Sequence, residues 1–471
     1  MEREFFLQKK QHYYLTLAVI ATTLFSWFNC NSYLIILLVI CRLVDGGPRT
    51  AIKTAFSNKY FLAYFSVFLL EFAGLFYTHH FFTGWKHVES KATLVAIPFI
   101  LCAGPFTDQA GYRRLRWAYC YLLAAVCVYC LVMACVEFHW QHDADVFFYH
   151  SLTSAISVNA VFFSAYVIIA ILFLLYCPDD KVVARGIRFG LIVFFTGVMI
   201  LLSSRLLMLL LIVIFIGWLA GQFRREMKVR KVAGIGLLVI MGAALLAFTD
   251  NPFSRRCRDL HPELLVRRVS PSGAAHSHFD GLSLRLLMWR YAFDILQEHR
   301  AWAFGVSAGD SQDLLDQKYL DAGMSQGYLG YNFHNEYIEV LVRSGFLGVS
   351  VFMICVVLLI GAARSAATPT AGFTIALVLL LFLTESALEM QHTLFLFAFF
   401  PILTGIGNNA ISSQQPSSDR SRHSRETNVP RRCRTASRPA GRTIGWRRRR
   451  GHAPRLAPAR SPQCRRWRQG R

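Results

Sequence analysis

The sequence predicts an all-α polytopic membrane protein with about twelve transmembrane helices, and three observations carry that expectation. Of its 471 residues 54 % are apolar and only 17 % charged, with a mean hydropathy of +0.38, a balance foreign to disordered chains and to secreted disulfide scaffolds. The apolar residues gather into runs near the roughly 20 residues that cross a hydrocarbon core. Basic residues concentrate in alternate connections between those runs, as in chains whose cytoplasmic loops retain Lys and Arg.

The runs fall near residues 13–28, 31–44, 60–82, 92–107, 115–138, 154–176, 186–203, 206–222, 232–248, 345–362, 372–390 and 393–410. The first follows Lys9 and Lys10 but has no small-residue cleavage site, which marks a retained helix rather than a signal peptide. The seventh and eighth come from one stretch, Leu191 to Ala220, too long for a single span and broken by Ser203, Ser204 and Arg205, so two helices joined by a tight turn are expected. One alternating set of connections, from Arg3, Lys9 and Lys10 through Arg364, holds 19 basic residues, whereas the opposite short loops hold three, Lys86, Lys91 and Arg205. That asymmetry puts both termini in the cytoplasm and the long polar segment 249–344 outside. The expected organisation is therefore nine helices in 1–248, an outer loop over 249–344, three helices in 345–411 and a tail from 412 to 471.

The formal charge of +22 is unevenly spread: the tail has 18 Arg, no Lys and two acids, Asp419 and Glu426, and so supplies +16, leaving 32 − 26 = +6 for the rest. With Pro and Ser interspersed and no periodic apolar face, the tail reads as a basic disordered extension without a catalytic role. Anionic membrane lipid suits its charge, and nucleic acid is not an expected partner. Most of the 12 cysteines lie in or beside apolar runs and follow neither a disulfide framework nor a zinc spacing. No Walker loop and no dinucleotide fingerprint is present, so ATP-driven transport by this chain alone and a nucleotide cofactor are not expected.

Specific chemistry is expected in the outer loop, because lipid-exposed helices cannot present irregular backbone. There GLSLRLLMWRYAFDIL, from Gly281, reads as a helix with Arg285, Met288, Trp289, Ala292 and Leu296 on one stripe. A cation on such a face either meets an anion or snorkels to water. The string YNFHNEYIEVLVRSGFLGV, 331–349, reads as a second helix with Asn332 as its cap, Glu336 in the first turn, a Glu339 to Arg343 pair and a stop or break at Gly345. His334 then lies at a helix N-terminus, whose positive dipole favours a neutral imidazole able to accept a proton, though a lone histidine serves equally as a structural hydrogen bonder. Arg205, at the outer end of its helix, is one of the rare ionisable groups at membrane depth. Glu71, Glu385 and Glu389 are others: they serve either a proton relay in a transporter or, for Glu385 and Glu389, the orientation of Arg205 or Arg285. HWQHDAD, 139–145, offers His139, His142, Asp143 and Asp145, but no convincing further ligand, so no metal site is expected. The cluster Arg255, Arg256, Arg258, Arg267 and Arg268 is either a solvated face or a contact for phosphorylated sugars, and GVSAGD, 305–310, is too weak for a nucleotide loop.

SSR between two spans, LSLRLLMWRYAFDIL followed by FGVSAGD, then FHNEYIEVLVRSGFLG leading into a span and TESALEMQHTLFLFAFFPIL near the end together resemble the O-antigen ligase and O-antigen polymerase family, over about residues 190–410. The resemblance implies a GT-C-like helical fold in the bacterial inner membrane and a periplasmic active site. The implied donor is a glycan linked to undecaprenyl diphosphate, and the implied acceptor is a hydroxyl of the lipid A core for a ligase or a second lipid-linked repeat for a polymerase. By motif position it implies diphosphate binding by Arg205 and Arg285, catalysis by His334, and an inverting transfer that needs no metal and no cofactor. Glu336, Glu385 and Glu389 are left as supporting residues. Outside this class, a lipid or glycan transporter remains the alternative reading.

Overall fold

The computed structural model describes residues 2–103, 109–177, 185–223 and 281–412, and every regular element among them is helical. Eleven helices precede the long gap: α1 (Glu2–Leu24), α2 (Phe28–Gly46), α3 (Pro48–Phe56), α4 (Lys59–Gly74), α5 (Phe81–Ser90), α6 (Thr93–Cys102), α7 (Gln109–Gln141), α8 (Tyr149–Leu152), α9 (Ala160–Tyr176), α10 (Arg185–Leu202) and α11 (Arg205–Phe223). Five follow it: α12 (Gly281–Glu298), α13 (Ser311–Asp321), α14 (Glu336–Ala366), α15 (Pro369–Thr384) and α16 (Gln391–Ser412).

The centre of the bundle is α9, which is apolar on every side and buried at every position from Phe162 to Leu175, as a helix without a polar face must be. α16 is buried almost as fully from Leu394 to Leu403 and packs on α6 and α14, while α14 also lies along α4. Tyr64 O–H donates to Phe397 O at 2.7 Å and Tyr166 O–H to His392 O at 2.6 Å, so these buried phenols spend their polar ends on backbone that the apolar surroundings would leave unpaired.

The chain is an integral membrane protein by its apolar helices. Among the described residues four helices are long and apolar enough to cross a membrane, Ala110–Gln141, Arg185–Leu202, Arg205–Gln222 and Glu336–Ala366, and a fifth if the pair Cys30–Asp45 and Pro48–Phe56, bent by 106°, is one span. Three shorter apolar helices, Ala160–Tyr176, Pro369–Thr384 and Gln391–Gly405, belong to the same bundle. The expected run 60–82 is divided, because α4 stops at Gly74 and α5 starts at Phe81, and the run 372–390 ends early at Thr384. The run 232–248, the arginines between 255 and 268 and the tail from 413 lie outside the described residues.

The turn at Ser203 and Ser204 is as short as expected: α10 ends at Leu202, Ser203 takes φ 51°, and α11 begins at Arg205. Beyond the bundle, residues 281–342 build a small core of their own from Leu287, Met288, Tyr291 and Leu296 of α12, Leu315 and Tyr319 of α13, Phe333 and Val342. Arg285 sits beside that stripe rather than in it, since the buried stripe runs through Leu284, Leu287, Tyr291 and Ile295.

Candidate active site

The site is assembled where α14 begins. Asn335, not Asn332, is its cap: Asn335 Oδ1 accepts the Ile338 N–H at 3.1 Å and its Nδ2 donates to Leu383 O at 3.1 Å. Asn332 Oδ1 instead accepts the N–H of His334 at 3.1 Å, an Asx turn that holds His334 at φ 48°. A non-glycine residue in that region costs about 1–3 kcal/mol and persists where its surroundings fix it. Here Trp289 Nε1–H donates to Phe333 O at 3.0 Å, Phe333 N–H reaches Glu339 Oε2 at 3.4 Å, and Tyr319 O–H donates to Tyr331 O at 3.0 Å.

The fixed imidazole meets Glu385. His334 Nδ1 lies 3.1 Å from Glu385 Oε2, and Glu385 Oε1 accepts from Arg285 Nη2 at 2.9 Å. A carboxylate only accepts, so in the neutral imidazole this pairing puts the proton on Nδ1 and leaves the Nε2 lone pair able to accept. Arg285 also donates through Nε to Thr384 O and through Nη1 to Gly281 O, each at 3.1 Å, so three of its five N–H groups aim the guanidinium and two remain for a ligand. Arg285 and His334 are each 28 % exposed, while the Glu385 side chain that joins them is 9 % exposed. A buried connector with two partly open ends is how a base and an anion-binding fork are held at fixed separation.

Arg205 is exposed at the first position of α11. Gly217 of α11 packs against the Phe373 ring near the start of α15, and Tyr176 joins both by donating to Ile214 O at 3.0 Å with its ring 5.8 Å from Phe373.

Behind Glu385 lies a buried ionic network. Glu389 does not orient Arg205 or Arg285, as a continuous helix with Glu385 and Glu389 on one face would suggest. α15 ends at Thr384, and the 3₁₀ turn Ala387–Glu389 swings Glu389 to the opposite side. There it takes both Arg343 nitrogens, Nη2 at 2.9 Å, with Lys91 Nζ at 3.1 Å and His87 Nδ1 at 3.4 Å. Lys91 also holds Glu71 at 2.5 Å, and Arg343 holds Glu339 at 2.8 Å, so the Glu71 carboxylate is tied in an ion pair. Burial would raise the Glu389 carboxyl, but Arg343 and then Lys91 hold it well below the usual range. Burial would lower Lys91, but Glu389 and Glu71 raise it above its ordinary value. Glu336 is fully buried and stands apart from His334 and Arg285; its Oε2 accepts the Leu388 N–H at 2.8 Å, while Ser386 O–H donates to Glu339 at 2.8 Å, so both carboxylates fasten the turn that carries Glu385.

The GVSAGD turn is an anchor rather than a ligand loop: Asp310 accepts the N–H groups of His79 and His80 at 2.9 and 3.0 Å, and Ser307 N–H donates to Arg343 O at 3.0 Å. Asp143 caps a 3₁₀ turn by accepting the Asp145 N–H at 3.0 Å, and among the described residues no three His, Cys, Asp or Glu side chains are grouped to hold a metal ion. Sequence reasoning missed Lys91 as the cation between two buried carboxylates, although it was one of only three basic residues in the outer short loops.

Residues 189–353 match the family model described as O-antigen ligase. That interval takes in Arg205, Arg285, His334 and Arg343 and ends before Glu385 and Glu389. No curated protein matches the chain.

Proposed function

Residues 189–353 belong to the O-antigen ligase family, and from that premise we propose that this membrane protein moves a glycan from undecaprenyl diphosphate to a sugar hydroxyl of the lipid A core, at the periplasmic face of the inner membrane. The observation that carries the reading is the line His334, Glu385, Arg285, in which one carboxylate orients both a proton acceptor and a guanidinium fork.

In this reading Arg285 and Arg205 bind the donor's diphosphate. Negative charge grows on it as the glycosidic C–O bond breaks, so a guanidinium held in place stabilises the transition state more than the ground state. The acceptor hydroxyl gives its proton to His334 Nε2 while its oxygen attacks the anomeric carbon from the face opposite the leaving diphosphate, which departs with the electron pair. The configuration inverts in a single displacement, with no metal and no cofactor assigned a part. Base catalysis of this kind contributes about 100- to 10,000-fold. A donor whose lipid stays in the bilayer and whose sugar projects outward suits a site at the end of the helices. The bias of Lys and Arg toward alternate connections supports cytoplasmic termini and a periplasmic site.

The test uses purified protein with undecaprenyl-diphosphate-linked glycan and lipid A core, in EDTA. Linked product with wild type and a loss of about 100-fold or more in His334→Ala, at unchanged melting temperature, is the expected result. Full transfer by His334→Ala removes the base assignment, product formed only on a second lipid-linked repeat turns the reading to polymerase, and donor movement without bond exchange turns it to transport.

A further inference from the structure

Tyr331, three residues before His334, is 44 % exposed, yet its backbone is fixed on both sides. Its N–H donates to Tyr328 O at 3.2 Å, and its carbonyl accepts from Tyr319 O–H at 3.0 Å and Gln312 Nε2 at 3.3 Å. The preceding residue, Gly330, takes φ 82° and donates its N–H to Asp316 Oδ1 at 2.9 Å. Tyr328 packs on the core of the outer segment, and the Tyr331 ring, not itself among the side chains of that core, stands edge-on to the Tyr328 ring at 6.0 Å between centroids, so ring as well as peptide is held in place. A half-exposed ring held on a rigid peptide is the arrangement of a binding surface, since little side-chain or loop entropy is left to lose when a ligand covers its open part.

Its position selects the ligand. The Tyr331 ring centroid is 5.9 Å from that of His334, with the planes 81° apart, the spacing of rings in van der Waals contact. A body lying on Tyr331 therefore has its edge at the imidazole. A pyranose ring has the matching chemistry: one face presents C–H groups of slight positive charge to the negative π face, and its rim carries the hydroxyls. Resting on the function proposed above, we propose that Tyr331 is the platform on which the acceptor's sugar ring stacks while one of its hydroxyls meets His334 Nε2.

Two probes separate the sources of such a ring: deacylated lipid A core oligosaccharide, and a repeat-unit oligosaccharide on a short prenyl diphosphate. With full-length protein in detergent, Tyr331→Ala should raise the KM for one of them about tenfold with kcat and donor KM nearly unchanged, and Tyr331→Phe, which keeps the ring, should restore most of the loss. The probe that shows the effect identifies the acceptor class. Acceptor KM unchanged in Tyr331→Ala for both probes, or a fall in kcat alone, overturns the proposal. Binding of the same oligosaccharides to His334→Ala, with and without Tyr331→Ala, judges the platform apart from the chemistry. A tenfold weakening there supports Tyr331 even if His334→Ala proves fully active, and equal binding by the two proteins refutes it.

Discussion

His334 and Arg285, far apart in the chain, are joined through the carboxylate of Glu385. Glu385 lies 51 residues from His334 and 100 from Arg285, and no periodicity along one helix links such positions. Pairing of Glu385 with one arginine was legible, because an isolated carboxylate at the edge of an apolar run needs a cation. Its second bond, to the imidazole, was not, since it depends on the left-handed turn at His334. Under the proposed function Glu385 is a positioning residue, and Glu385→Gln should lower kcat by about 10- to 100-fold while raising donor KM through the loosened Arg285 fork. Glu385→Asp should recover part of both, and steady-state kinetics with donor and acceptor varied separately checks the split. Loss of stability without that split would make Glu385 merely structural.

Among the elements, the break inside α14 was visible in the sequence as Gly345, and its cause was not. Gly345 takes φ 60° and Gly305 φ 74°, and each lies against the backbone of the other's segment: a Cβ on Gly345 would come within 2.4 Å of Ala303, and one on Gly305 within 2.3 Å of Arg343. Backbone bonds close the crossing, Val306 N–H to Val342 O at 2.8 Å and Phe346 N–H to Trp302 O at 2.8 Å. Tyr77 O–H, pushed up to about 12 by burial, braces it by donating to Phe304 O at 2.7 Å. Gly345→Ala should cost at least about 1–3 kcal/mol from the positive φ alone. An earlier melting transition in detergent, followed by the fluorescence of Trp302 beside Phe346, checks this. The cap at Asn335 was misread as Asn332 for a related reason: both asparagines bind backbone N–H groups near the helix start, and only the dihedral turn at His334 decides which of them caps the helix.

For the whole molecule, the all-helical class was legible because composition is a property of long stretches. The lengths of the shorter apolar helices, such as α9, were not, because α9 is covered by protein along its length and burial sets no fixed length. The buried network joins α4, the α5–α6 connection, α14 and the α15–α16 turn through Glu71, Lys91, Arg343 and Glu389. Lys91→Met leaves two buried carboxylates short of a cation and should cost about 3–5 kcal/mol, whereas adding Glu71→Leu should restore part of the loss. Glu389 is held below its ordinary 4.5, so its contribution is complete above that pH and fades as the pH falls toward its folded value. Lys91 is held above its ordinary 10.5, so its contribution is complete below that pH and is lost as the pH rises through its folded value. The penalty of Lys91→Met should therefore narrow in strong acid, where Glu389 takes up its proton, as melting curves across pH will show. Reporter fusions after residue 412 and within 249–344 should report cytoplasm and periplasm respectively. The hairpin between α15 and α16 has one more consequence. Since Glu385 lies downstream of the interval 189–353, transplanting that interval into a relative carries His334 and Arg285 without their shared carboxylate. A chimaera should work only when the recipient supplies an acid at the equivalent place, or when residues 384–389 travel with the graft.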